Sequence, residues 1–251
     1  MSDIKLSIIT ATWNSSKTVA ATMESLARQT FQNYESIIVD GLSSDDTLDV
    51  VRRSGVRIGK IISERDKGIY DALNKGIAAA QGEYVGFLHS DDILASPSSL
   101  EKLVDCIDRK KPDAVYADLQ YVDKENTNKV IRYWKSGSYS RSRLKNGWMP
   151  PHPTFYMRRN LYSELGGFNL NYKISADYDS LMRYLWVNNV RLEYLPEVLI
   201  KMRIGGASNR SLSNIIRKSK EDFAVMKEYS MPVFRAILGK NLSKLPQFFI
   251  R

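Results

Sequence analysis

Three sets of acids in the chain combine the residue type and the position that chemistry needs. Asp91 and Asp92 end the run Glu83–Leu94 (EYVGFLHSDDIL), Asp177 and Asp179 lie in Ala176-Asp177-Tyr178-Asp179, and Asp40 closes Ser36–Asp40 (SIIVD) just ahead of Gly41. Adjacent carboxylates at a strand end suit a hard divalent cation, Mg²⁺ or Mn²⁺, which takes oxygen ligands and usually carries substrate phosphates as well. A carboxylate such as Asp40, beside a flexible turn, is placed to accept hydrogen bonds from a ribose or a base. Each set has a plainer reading. Asp92 suits the N-cap of a helix, and Asp177 and Asp179 suit a helix first turn, where the dipole favours acids.

The elements that must hold these groups read as α/β. Tyr84–Leu88 is apolar and too short for a helix, as a strand covered on both faces of a parallel sheet would be. Leu6–Thr10 (LSIIT) and Ser36–Asp40 are two more such strands, joined by a helix from about Ser16 to Gln29, which makes a right-handed βαβ unit. The carboxyl ends of parallel strands are where α/β sheets bind ligands, and all three acids of Asp40, Asp91 and Asp92 fall there. Further elements are a helix to about Arg53 capped by Ser44 or Asp45, a strand at Ile58–Ser63, a helix at Pro97–Lys110, strands at Ala114–Gln120 and Lys129–Trp134 joined by a hairpin turn, a helix at Ser180–Val187 and a strand at Tyr194–Ile200.

Composition narrows the class. Hydrophobic content of 43% and charged content of 26% are those of a soluble globular protein, and the single cysteine, Cys106, excludes an internal disulfide framework and a cysteine zinc cluster. No apolar run approaches the roughly 20 residues of a membrane span and no signal peptide is visible, so the expected location is cytoplasmic. The net charge of +9 is concentrated at the end: residues 206–251 hold nine Lys/Arg against three acids.

Four segments, IITATWN, IIVDGLSSDDT, SERDKGIYDALNKG and GEYVGFLHSDD, resemble in order and spacing the family 2 glycosyltransferases, inverting enzymes of the GT-A nucleotide-diphospho-sugar fold. The resemblance implies a Rossmann-like, mostly parallel central sheet over 1–208, with a nucleotide-sugar half at 1–95 and an acceptor half at 96–208. It implies nucleoside contacts from the Ala11–Trp13 loop (Ala11, Trp13) and Asp40, a nucleotide-site wall containing Asp66 and Asp71, a metal bridged by Asp91 with Asp92 as its neighbour, and Asp177 as catalytic base. His89 stands where many members have an acid, and Ala176 where they have Glu; the first lowers the negative charge at the metal site and the second leaves the base in place. An acceptor hydroxyl attacking opposite the leaving nucleoside diphosphate needs one base and no covalent nucleophile.

Other candidates stay open between two readings. Asn146–Met157 (NGWMPPHPTFYM), with Trp148 and His152, is either an aromatic sugar platform or a plug at the core edge. Arg183 orients Asp179 or the acceptor, and Arg203, in a loop expected at Lys201–Ser208, either closes over the diphosphate or lies at the surface. The tail at 209–251 is amphipathic and basic, with apolar stripes at Leu212–Met226 and Phe234–Leu245. It suits the surface of an anionic bilayer or packing on the domain. The implied reaction moves one sugar, from a UDP-sugar, to a hydroxyl of a saccharide linked to polyprenyl diphosphate, in polysaccharide or O-antigen assembly at the inner face of the plasma membrane. A nucleotidyltransferase would carry a Gly-rich basic loop after its first strand, which Ala11–Asn14 is not. A nucleic-acid binder would need base-stacking aromatics on the basic face, and a polymerising synthase would bring membrane spans.

Overall fold

The structure, a computed structural model, describes residues 4–205 and 212–232. The first half is built from β1 (Leu6–Thr12), α1 (Val19–Ala27), β2 (Tyr34–Asp40), α2 (Thr47–Arg52), β3 (Ile58–Ser63), α3 (Ile69–Ala79) and β4 (Tyr84–Phe87). β1 pairs in parallel with β2 and β4, and β2 with β3, so the expected βαβ unit is present and three strand ends converge on one edge. Apolar residues alternate across these strands. Ile9, Ile37 and Phe87 face one cluster, while Ile8, Ile38 and Tyr84 face a second on the other side of the sheet. Such burial on both faces is why these strands read as unbroken apolar runs.

The second half departs from parallel order. It contains β5 (Ile93–Leu94), α4 (Ser99–Lys110), β6 (Ala114–Val122), β7 (Val130–Trp134), α5 (Arg141–Lys145), β8 (Tyr156–Arg158), α6 (Arg159–Leu165), α7 (Ala176–Leu181), β9 (Leu192–Arg203) and α8 (Leu212–Glu228). All strands join one sheet in the order β3-β2-β1-β4-β8-β6-β9-β5, with β7 on β6. β8 runs antiparallel between β4 and β6, and β5 pairs with β9, so the sheet is continuous across the 95/96 division.

Local differences from the sequence reading have physical causes. The helix expected at Ser180–Val187 begins earlier, at Ala176, and passes into a π-helical turn at Met182–Val187. The last strand extends to Arg203 because it pairs with β6 along its length, so Arg203 belongs to a strand and not to a loop. The N-cap of α2 is Asp46 and not Ser44 or Asp45; Asp45, one residue earlier, accepts from Thr47 N at 3.0 Å. The end of the first tail stripe packs on the domain, with Val225 and Met226 of α8 fully buried in the cluster that contains α7, while Ile215, Ile216 and Phe223 stay about half exposed. The second stripe, Phe234–Leu245, lies outside the described residues.

Candidate active site

The ends of β1, β2 and β3 are tied together by one carboxylate. Asp40 is fully buried and accepts from Thr12 Oγ1 at 3.0 Å, Ser43 N at 3.0 Å, Ser63 Oγ at 2.9 Å and the Ser43 hydroxyl. Its oxygens are occupied by the protein, so Asp40 shapes the nucleoside edge from behind instead of reaching a ribose or base. Ala11 is likewise buried in β1. What faces outward is Trp13, 67% exposed, with its indole Cδ1 3.4 Å from where a Cβ on Gly41 would stand. Asp66 Oδ2 would lie only 2.6 Å from that same Cβ, so glycine is required at 41 for the carboxylate to approach the strand end. A flat ring, bare backbone and a carboxylate thus form an open slot. Asp71, by contrast, staples the turn below it, accepting from Lys67 N at 3.0 Å and lying 3.5 Å from Lys75 Nζ.

At the end of β4 the structure separates the two adjacent acids. Asp91 is half-buried, and among the described residues no protein donor reaches its carboxylate. Asp92 is turned inward: it is 1% exposed, its Oδ1 accepts from Arg203 N at 3.3 Å and its Oδ2 has no partner. Burial first, and then neighbouring Asp91, hold the Asp92 carboxyl well above the usual carboxylate range, and its inward turn onto the Arg203 N–H leaves Asp91 as the carboxylate on the open side. Arg203 does not close over a diphosphate either. Its guanidinium donates to the main-chain oxygens of Asp91 at 2.8 Å and Lys124 at 3.1 Å, clamping the acidic turn to the β6–β7 hairpin.

Among the described residues no group of three or more His, Cys, Asp or Glu side chains forms a ready-made metal cage. The donor set fits a cation that arrives with a diphosphate: one free carboxylate, Asp91, would hold it, the phosphate oxygens and water completing the shell, as is usual for Mg²⁺.

Across from this turn, Asp177 stands in the first turn of α7 and opens into a cavity of about 340 Å³. Its Oδ1 accepts from Tyr178 N at 2.8 Å and from Tyr70 Oη at 3.3 Å, and burial followed by the Asp177 charge raises the Tyr70 hydroxyl well above its ordinary range. The same Tyr70 hydroxyl proton is shared with Ile174 O, the nearer acceptor at 2.6 Å, which fixes α3 to the segment that carries Asp177. Asp177 is the one carboxylate lining this cavity among the described residues.

Two imidazoles share the cavity with it. His89 and His152 lie with ring centroids 6.1 Å apart, and His152 stacks on Phe87 at 5.3 Å. Burial pushes His152 down to about 4; burial also lowers His89, against the opposing pull of Asp91 and Asp177. Both are neutral near pH 7. His89 Nδ1 and His152 Nε2 are buried with no protein partner, which is the signature of atoms kept for a polar ligand. Trp148 also lines the cavity, but it is 8% exposed and its Nε1 donates to Ser136 O at 3.0 Å, so it is both a wall and part of the core.

Asp179 and Arg183 are not sugar contacts. Asp179 is 1% exposed and bonds Arg183 Nη2 at 3.2 Å and Tyr229 Oη at 2.8 Å, while Arg183 reaches the carbonyls of Gly167, at 2.6 Å, and Leu165. They lock α7 to α8 and to the loop before it. Glu221 of α8, unmarked in the sequence reading, does more. Its carboxylate accepts from three consecutive main-chain N–H groups, Lys173 at 3.1 Å, Ile174 at 2.8 Å and Ser175 at 2.9 Å. It thereby fixes the loop that immediately precedes Asp177. An acid in a basic amphipathic stripe is the one sign the sequence carried.

A mixed sheet whose parallel half ends at the Asp40 edge, with one free carboxylate past the central strand and a second lining a cavity, is the architecture of the GT-A glycosyltransferase fold. Residues 7–166 match glycosyl transferase family 2, and the chain belongs to that family. It is similar to the PGL/p-HBAD biosynthesis glycosyltransferase of Mycobacterium bovis (strain BCG / Pasteur 1173P2), at 33% identity over 81% of this chain and 78% of that protein. Among solved structures it resembles S. aureus TarS 1-349 in complex with UDP-GlcNAc, with TM-score 0.68 and 20% identity, covering 95% of this chain and 69% of that one. It also resembles Mycobacterium tuberculosis glucosyl-3-phosphoglycerate synthase in complex with Mn²⁺, UDP and glucosyl-3-phosphoglycerate, with TM-score 0.64 and 19% identity over 91% and 80% of the two chains. Against the longer TarS structure the chain spans 41% of the length.

Proposed function

We propose that the protein is an inverting glycosyltransferase that moves one sugar from a UDP-sugar to a hydroxyl of a lipid-linked saccharide, with Asp177 as the base. The observation that carries this reading is the lone carboxylate in the cavity. A retaining enzyme working through a covalent intermediate would need a carboxylate nucleophile as well as its acid/base group, whereas direct displacement needs one base to take the acceptor's proton. UDP is favoured by the flat Trp13–Gly41–Asp66 slot and by the UDP-bound neighbours.

In this mechanism Trp13 and Asp66 position the nucleoside and Asp91 faces the diphosphate. The divalent cation, when bound, offsets the negative charge that grows on the leaving diphosphate. Asp177 receives the hydroxyl proton, while Tyr70 and the N–H of Tyr178 hold its carboxylate in one orientation. His89 and His152, neutral and unpartnered, orient the acceptor's hydroxyls, and the cavity wall excludes bulk water.

Lipid linkage draws on α8, whose Ile215, Ile216 and Phe223 are about half exposed beside Arg217 and Lys220. Such a face suits an anionic bilayer at the inner side of the plasma membrane. Flotation with phosphatidylglycerol but not phosphatidylcholine vesicles, lost in Phe223→Glu, is the expected result; equal flotation with both would remove the membrane part of the reading.

The enzymatic part is tested by release of nucleoside diphosphate from a panel of UDP- and GDP-sugars, with Mn²⁺ or EDTA and a crude lipid-linked saccharide extract. Turnover of one donor by the wild type, lost in Asp91→Ala and Asp177→Asn, is expected. Turnover indifferent to Asp177→Asn would leave a transferase without this base.

A further inference from the structure

The cavity that holds Asp177 is polar in an uneven way. Around Asp177, His89 Nδ1 and His152 Nε2 are buried nitrogens without a hydrogen-bond partner among the described residues, which suits hydroxyls. Elsewhere on its lining stand four cations, Arg132, Lys135, Arg143 and Lys218, drawn from β7, the segment after it, α5 and α8. A single carboxylate, Asp177, faces them within the lining. Gathering four like charges from separate elements around one small space raises their mutual repulsion, and an anion in that space relieves it.

Two of the four have no acidic partner among the described residues. Arg143 is fixed by the carbonyls of Ser136, at 3.0 Å, and Ser138, with its guanidinium 4.7 Å from the centre of Trp148. No carboxylate pairs with it among the described residues. Lys135 is exposed and makes no hydrogen bond or ion pair among those residues. Lys218 pairs with Asp222 at 3.3 Å, and the Arg132 guanidinium lies 4.1 Å from the ring centre of Tyr121.

The wall between the two ends is aromatic. Tyr121 and Trp134 share one face of the β6–β7 hairpin, their rings within 7° of parallel and 6.5 Å apart at the centroids, with Met202 of β9 beside them. The Arg132 guanidinium lies against both rings, 4.1 and 5.8 Å from their centres, so this wall carries positive charge as well as flat surface. At about 340 Å³ the cavity is at the small end of ligand sites, so whatever fills it spans hydroxyl end and cationic end together.

We infer that the acceptor is an anionic saccharide, one that carries a carboxylate or phosphate close to the hydroxyl that Asp177 deprotonates, with Lys135 and Arg143 as the principal anion contacts. The inference rests on the transferase reading above and narrows its acceptor. A uronic acid within a glycan and the diphosphate of a lipid carrier both supply this chemistry.

Two matched pairs of probes separate those sources: a glucuronic-acid-terminated disaccharide against its glucose-terminated counterpart, and citronellyl-diphosphate-linked N-acetylglucosamine against the citronellyl glycoside without the diphosphate. Each is titrated by calorimetry into the full chain with UDP and Mn²⁺ present. The expected result is that at least one anionic probe binds about tenfold tighter than its neutral partner, as loss of charge-assisted hydrogen bonds implies. The pair showing the preference names the source. That preference should fall below about twofold in Lys135→Glu, survive in Lys135→Arg, and weaken as NaCl is raised from about 50 to about 500 mM. Equal affinities within both pairs, no binding of either anionic probe, or a preference that persists unchanged in Lys135→Glu would each overturn the inference. Donor turnover by the wild type is scored separately: its absence removes the transferase reading, whereas donor turnover without anion preference removes this inference alone.

Discussion

The donor edge and the acceptor cavity share one sheet but treat their polar groups differently. At the donor edge Asp40 has its oxygens filled by Thr12, Ser43 and Ser63. In and beside the cavity, His89, His152 and Asp92 each leave a buried atom unpartnered. The first arrangement fixes strand ends so that a slot forms where backbone is bare. The second leaves binding capacity exposed to whatever enters, at a cost in stability of about 1–3 kcal/mol for each unmatched group. Rigidity on one side and unspent polarity on the other is what a transferase requires if one donor nucleotide is used with acceptors that differ between relatives.

Substitutions on the two sides should therefore separate cleanly. The largest effect is expected for Asp177→Asn, which keeps the shape and removes the base: kcat should fall by about 10²–10⁴-fold, with the dissociation constant for UDP within about twofold of wild type by calorimetry. Asp40→Asn should do the reverse in kind. An amide placed among four donors loses acceptor capacity in a fully buried site, so unfolding free energy by urea titration should drop by about 3 kcal/mol, with UDP affinity reduced alongside. If Asp40→Asn is as stable as wild type, the donor edge is not held in the way described.

Glu221→Ala tests whether the base is positioned from α8. Removing an ionised acceptor from three N–H groups should cost about 2 kcal/mol of stability. It should also lower kcat while the KM for the donor stays within about twofold. Glu221→Gln should recover part of the stability. A loss in donor KM equal to that in kcat would indicate general loosening instead.

The remaining effect concerns pH. His152 is held neutral at about 4, below the ordinary histidine value of 6.5, so between those values the unfolded chain binds the proton more readily. Its contribution to stability is complete above pH 6.5 and lost as pH falls toward 4. The urea midpoint should decline across that window in the wild type and decline less steeply in His152→Phe.

Much of the frame was legible. Leu6–Thr10, Ser36–Asp40 and Tyr84–Leu88 announced buried parallel strands, and the acids ending them marked the edge where ligands bind. Asp91 lies in the turn after β4 and Asp177 in the first turn of α7. Illegible were the pairings that depend on distant chain segments: Asp92 turned inward onto the Arg203 N–H 111 residues away, Asp179 claimed by Arg183 and Tyr229, and Glu221 reaching residues 173–175. An acid's local sequence is the same whether it meets solvent, a cation or a main-chain N–H. The cavity wall was hidden for the same reason, since Tyr121, Trp134 and Met202 become neighbours only through the β7-β6-β9 pairing.

The grip of Glu221 on residues 173–175 also sets a rule for anyone cutting or recombining this scaffold. A boundary placed near residue 208, which the sequence invites, would sever the loop before Asp177 from its support. Chimeras that exchange acceptor preference between relatives should therefore transplant residues 212–232 together with the β6–β7 hairpin and α7, as one inheritance unit.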